Sequence, residues 1–213
     1  MKKLILSIVA ACVCFAASAE IVLPRVLGSN MVLQQQSEVN LWGKADPDKK
    51  ITVTVSWSKD KVRTRSDKDG NWAVKVATPA GSFDHHTITI SDGDKLTLEN
   101  ILIGDVWVCV GQSNMEMPVQ GYMHQPVENA MTYIRRGSAM KDKIRMFTVK
   151  KARSYDKDLD DCVGEWRESA PQSVAETSAV AYFFAHELSH EVDYPIGLIT
   201  AGWGGSRVEA WMP

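Results

Sequence analysis

In the first half of the chain, hydrophobic residues fall in short alternating or β-branched runs, at 31–34, 38–42, 51–57, 62–64, 72–76, 87–90 and 95–102. A period of two over such lengths marks strands with one buried face. Turn chemistry separates them, in Gly28-Ser29-Asn30, Ala45-Asp46-Pro47-Asp48, Asp69-Gly70-Asn71 and Asp92-Gly93-Asp94. Seven short strands at this spacing predict a β-sandwich of immunoglobulin-like type over residues 20–103. Past Gly104 the rhythm changes. Apolar runs at 105–110, 144–150 and 195–200 alternate with helical patterns at 126–136 and 173–192. Pro126 opens the first helix and Gly137 follows it. Ser173 and Glu176 match a capping box for the second, whose apolar face is Val180, Phe183, Phe184 and Leu188. Strands alternating with helices predict a parallel sheet with helices on its faces, so residues 104–213 read as an α/β domain.

Ahead of the first strand the pattern is of another kind. Lys2 and Lys3 precede an apolar run at 4–16 and a small-residue site, Ala17-Ser18-Ala19. That order predicts a signal peptide over residues 1–19, and a periplasmic or extracellular mature protein. The run is too short to span a bilayer comfortably, and no stable membrane insertion is expected after cleavage. Val9-Ala10-Ala11-Cys12 offers a competing lipid-anchoring site at Cys12, but the apolar run continues beyond it.

Composition narrows the function classes. The chain has 213 residues, 45% hydrophobic and 23% charged, with a formal net charge of −2. Such a chain can bury a core, and it has no basic footprint for nucleic acid. Cys12 and Cys14 leave with the signal; Cys109, in a strand, and Cys162, in a polar stretch, are expected as free thiols. Asp67-Lys68-Asp69-Gly70 lacks the further acidic ligands of a calcium loop and reads as a hairpin turn before Trp72.

The chemistry concentrates at two strand ends. The run 105–110 stops at Gly111, and Gln112-Ser113-Asn114-Met115 follows. A serine there exposes its hydroxyl where open α/β sheets bind ligands, and becomes a nucleophile once a base takes its proton. The pattern is not the G-x-S-x-G elbow, because Met115 replaces the second glycine. The third strand of the α/β part ends at Gly202-Trp203-Gly204-Gly205-Ser206. Paired glycines let backbone N–H groups face a cleft, as a tetrahedral oxyanion requires. If the first and third strands are neighbours, Ser113 and Gly204-Gly205 converge.

Gly111-Gln112-Ser113-Asn114-Met115 resembles the first conserved block of the SGNH esterases, and within them the sialate O-acetylesterase-like carbohydrate esterases. The segment 202–211 resembles their second glycine-bearing segment, and residues 23–34 the opening of the β domain that precedes their catalytic domain. The resemblance implies a β-sandwich followed by an SGNH-type (flavodoxin-like) domain that hydrolyses O-acetyl esters on sugars such as sialic acids. It implies Ser113 as nucleophile and donor of one oxyanion N–H, with a further donor on Gly204 or Gly205. Gln112, Gly204 and Gly205 are the implied oxyanion and substrate-binding positions. No metal or cofactor is called for, and the expected partner is an O-acetylated sugar or glycan. The family's later Asp/His acid–base segment has no counterpart before Pro213, so a truncated and weakly active chain is expected, with the third strand left as an unpaired sheet edge.

Two rival readings stand beside this one. Without an acid–base pair, the chain would serve as a glycan-binding module without turnover. His186-Glu187-Leu188-Ser189-His190 is an H-E-x-x-H run on a predicted helix, the spacing of a zinc metalloprotease. It fixes only three positions and lacks the H-x-x-G-x-x-H extension, which favours the esterase. His85 and His86 are expected to be solvated, and His124 to be exposed or in contact with substrate. Trp203 and Trp211 are candidate sugar-stacking rings, whereas Trp107 and Trp166 read as packing residues.

Overall fold

The computed structural model describes residues 20–212; the expected signal peptide, with Cys12 and Cys14, lies outside them. The N-terminal strands are β1 (Val32–Gln34), β2 (Glu38–Lys44), β3 (Lys50–Val55), β4 (Lys61–Arg65), β5 (Asn71–Ala77) and β6 (Ser82–Ser91). A 17-residue strand, β7 (Lys95–Gly111), follows. Then come α1 (Ser113–Glu116), α2 (Ala130–Arg136), β8 (Ile144–Thr148), β9 (Trp166–Glu168), α3 (Pro171–Glu176), α4 (Ala179–Glu191) and β10 (Ile196–Gly202).

β2 and β5 pair with each other, while the remaining strands form one mixed sheet in the order β4-β3-β6-β7-β10-β8-β9, with β1 parallel to β7. The two layers share a core. Leu41, Trp72, Val74 and Val76 from β2 and β5 pack with Ile51, Val53, Ile88 and Ile90 of the main sheet. The alternation that predicted these strands is visible in β5, where Trp72, Val74 and Val76 are buried and the residues between them exposed. The turn before Trp72 is built as expected: Asp67 Oδ1 accepts the N–H groups of Asp69 and Asn71, and Gly70 adopts φ +82°.

β7 carries the chain from one region to the next without a break. The expected boundary at 103/104 falls inside this strand, whose first half pairs antiparallel with β6 and whose second half pairs parallel with β10. β10 also pairs parallel with β8, which pairs antiparallel with β9. The third α/β strand is therefore not the sheet edge that the sequence suggested. The crossover through α4 sets β10 between β7 and β8. Instead β9 ends the sheet on one side, and residues 105–111 of β7, paired only with β10 among the described residues, leave a second open edge on the other, where Val108 is 67% exposed.

The helices cover one face of this parallel part rather than both. Val174, Ala179, Ala181, Tyr182 and Ala185 pack there against Ile144, Met146, Ile196 and Leu198. On the opposite face Phe147 and Trp166 join the core of the N-terminal strands. The expected helix at 173–192 is two helices, because Thr177 is extended and Ser178 starts afresh as the N-cap of α4, its hydroxyl accepting the Ala181 N–H. The expected helix at 126–136 begins only at Ala130, and Gly137 continues it in a right-handed 3-10 turn instead of ending it. Cys109 and Cys162 are both unbridged and half-buried.

Candidate active site

The parallel pairing of β7 with β10 places Gly111 opposite Gly202, so both strands end at the same level. Ser113 opens the short α1 turn directly beyond β7. It is exposed, and among the described residues its hydroxyl makes no hydrogen bond. Gln112 precedes it as an exposed N-cap whose backbone carbonyl accepts the Glu116 N–H at 2.9 Å. The turn is propped from below by the start of α4. The Ala179 N–H donates to the Met117 carbonyl at 2.8 Å, and the Ser178 hydroxyl donates to Met115 Sδ at 3.2 Å.

The glycine segment closes on this turn from the side of β10. The Trp203 N–H donates to the Gly111 carbonyl at 3.0 Å. A Cβ at Gly202 would lie 2.8 Å from the Glu116 backbone, too close for any side chain. A Cβ at Gly204 would lie 3.6 Å from the Ser113 Cβ, so the two segments are in contact although far apart in sequence. This is the carboxyl end of neighbouring parallel strands, where α/β sheets hold their ligands.

The two glycines differ in what their N–H groups do. The Gly204 N–H donates to Glu116 Oε2 at 2.5 Å. Gly205 has φ +78°, open space where a Cβ would stand, and an N–H that makes no hydrogen bond among the described residues. Glu116 is itself held: Lys151 Nζ lies 2.5 Å from Oε1, and the Tyr122 hydroxyl donates to the same oxygen at 3.5 Å. The Lys151 hydrogen bond, then the Gly204 N–H, hold the Glu116 carboxyl below the usual carboxylate range.

Beside Gly202 and Trp203 a groove of about 510 Å³ runs toward the N-terminal strands, with Trp42, Trp211, Lys151 and Asp160 on its walls. It shares Pro24, Trp42, Asp160 and Asp161 with a second cavity of about 680 Å³ that continues over β2 and β5. Lys151 Nζ and the Arg153 guanidinium each sit 5.3 Å from the Trp203 ring centre, a cation–π arrangement. Trp211 donates its indole N–H to the Ser206 hydroxyl at 2.7 Å.

No protein-family model matches the chain. Individual proteins do. It is 29% identical over 202 residues to the sialate O-acetylesterase of Homo sapiens, across 87% of this chain and 37% of that protein. With the sialate O-acetylesterase of Mus musculus it shares 30% identity over 198 residues, across 85% of this chain and 35% of the other. The crystal structure of a carbohydrate acetylesterase from Xanthomonas citri superposes with a TM-score of 0.81 at 30% identity, across 91% of this chain and 43% of that one. Over most of its length the chain is similar to sialate O-acetylesterases. It spans a little over a third of the length of the curated relatives it matches.

Four of the five histidines have partners elsewhere. His85 lies against Asp142 at 3.4 Å, and His86 packs edge-on to Trp57 with Nδ1 3.2 Å from the Ser56 hydroxyl. Both belong to β6, which starts earlier than the sequence pattern indicated. His124 is exposed in the tight turn between Tyr122 and Gln125, with φ +64°. His186 and His190 stack edge-on at 5.0 Å, His186 also meets Tyr133 at 5.0 Å, and Glu187 Oε1 is 3.3 Å from His186 Nδ1. Among the described residues, no group of three or more His, Cys, Asp or Glu side chains is arranged to hold a metal ion. Trp166 is buried in the core, whereas Trp107 is partly exposed and edge-on to Phe184.

Proposed function

We propose that this chain carries the serine-bearing part of a carbohydrate O-acetylesterase site, acting on O-acetyl esters of sugars such as sialic acids. The observation that carries the reading is the contact between Ser113 and the glycine segment, in which the Gly205 N–H makes no hydrogen bond among the described residues. Ser113 Oγ attacks the acetyl carbonyl carbon, and the N–H groups of Ser113 and Gly205 hold the resulting oxyanion. Collapse expels the sugar oxygen and leaves an acetyl-serine, which water then hydrolyses to acetate. The Ser113 proton must pass to a base and on to the departing sugar oxygen. A correctly placed base is worth roughly 100- to 10,000-fold in such a step.

The same reading assigns residues 20–103 to an immunoglobulin-like sandwich, supported by the shared core of the β2–β5 pair and the main sheet, and the residues after them to an SGNH-type domain. It includes export directed by residues 1–19. Among the described residues, no helix is long and apolar enough to cross a membrane.

A serine-directed fluorophosphonate followed by peptide mapping tests the site. The expected adduct is on Ser113, and acetyl ester hydrolysis disappears in Ser113→Ala. Modification at another serine, with hydrolysis surviving that substitution, contradicts the reading. The tryptophan-lined groove also favours glycan binding without turnover; saturable binding of an acetylated oligosaccharide with only background hydrolysis would select that alternative.

A further inference from the structure

Beyond the backbone hydrogen bond from Trp203 to Gly111, one side chain ties the glycine segment to the serine turn. Glu116 touches every part of the site's frame. Its backbone packs on Gly202, its Oε2 takes the Gly204 N–H, and its Oε1 takes Lys151 from the loop after β8. Tyr122 closes the set from the other side, donating to the Glu116 carbonyl at 3.2 Å as well as to its carboxylate. Three chain segments are thus tied through one carboxylate.

That arrangement consumes one amide and spares its neighbour. An oxyanion on the Gly204 N–H would have to replace a carboxylate oxygen whose partner oxygen Lys151 holds in place by a charge-assisted contact. Among the described residues the Gly205 N–H has no such occupant. We propose that Glu116 is the positioning residue of this site: held by Lys151, it binds the Gly204 N–H, locks the glycine segment against the Ser113 turn, and leaves Gly205 as the donor presented to substrate. Only the last clause rests on the esterase reading; the lock itself does not.

The test compares Glu116→Ala, Glu116→Gln and Lys151→Met with the unaltered chain. Two readouts are taken: NMR amide exchange at Gly204, and kcat and KM for p-nitrophenyl acetate. In Glu116→Ala the Gly204 amide should exchange faster and kcat should fall roughly 10- to 100-fold with KM little changed, since donors displaced by even 1 Å lose that much. Glu116→Gln keeps an acceptor oxygen and should recover most of both. Lys151→Met should fall between them. A Gly204 amide equally protected in Glu116→Ala overturns the proposal. A rise in kcat overturns it too, because Glu116 would then be a plug. Equal losses in the Ala and Gln variants, tracking a drop in melting temperature, would show a merely structural residue and likewise overturn it. If the unaltered chain shows no Ser113-dependent hydrolysis, the esterase reading fails, and the exchange measurement alone decides whether Glu116 holds Gly204.

Discussion

At the level of single residues, the site is organised by charge pairing across segments that no spacing rule connects. Glu116 reaches Lys151 at 35 residues' separation and Gly204 at 88. Its carboxyl is held below the ordinary range first by Lys151 and then by the Gly204 N–H, with Tyr122 the other titratable group facing it. A depressed folded pKa means the interaction is complete above the unfolded value of about 4.3 and is lost as pH falls through the folded one. The Gly204 amide should accordingly keep its chemical shift at neutral pH and move in acid along a titration curve that is missing in Glu116→Gln. A shift that stays flat until the protein unfolds would contradict this. Ser113 and the glycine pair were readable in the sequence because each sits at the end of an apolar run, where small residues stand out. Glu116 was not, since an acidic residue in a polar turn has no local mark of a partner on another strand.

Among the elements, alternation identified the strands but not how they join. The run at 95–102 and the run at 105–110 are one strand, because Gly104 passes so close to the Pro195 carbonyl that its missing side chain is a packing requirement and not a turn. β9 went unseen since three residues carry no period. The helical pattern at 173–192 hid a break whose cause is tertiary: Thr177 and Ser178 leave the helix to meet Met117, Pro118 and Val119 under the serine turn. The pattern could not say which strand lies outermost either. Residues 105–111 of β7 leave one edge unpaired among the described residues, with Val108 and Val110 exposed. Exposed apolar edges recruit other strands, and charged side chains suppress this. Val108→Lys should reduce concentration-dependent association in sedimentation velocity while changing folding stability by less than about 0.5 kcal/mol. Unchanged association would mean that this edge is not the adhesive one.

Across the whole molecule, the N-terminal strands and the parallel sheet are held as one body by β7 and by Arg145. This guanidinium is 0% exposed. It donates to the carbonyls of Lys141 and Asn30 and to the Asn100 side chain, and lies 3.4 Å from Glu168 Oε1. Asn30 and Asn100 come from the N-terminal region, Glu168 from β9. Arg145→Met keeps the volume but strands these acceptors, and should cost about 3 kcal/mol in a urea unfolding curve. A loss below about 0.5 kcal/mol would show that the two regions do not depend on this contact. The account as a whole stands on the meeting of Ser113 with the glycine segment, and a covalent ruler measures it without requiring catalysis. The separation of 3.6 Å between the Ser113 Cβ and a Cβ placed on Gly204 suits a disulfide. With the four native cysteines replaced by serine, a Ser113→Cys/Gly204→Cys chain under mild oxidation should form an intramolecular bridge, seen as thiols protected from alkylation and one cross-linked peptide pair. Two thiols that remain fully alkylable under oxidant would place the segments apart and contradict the site.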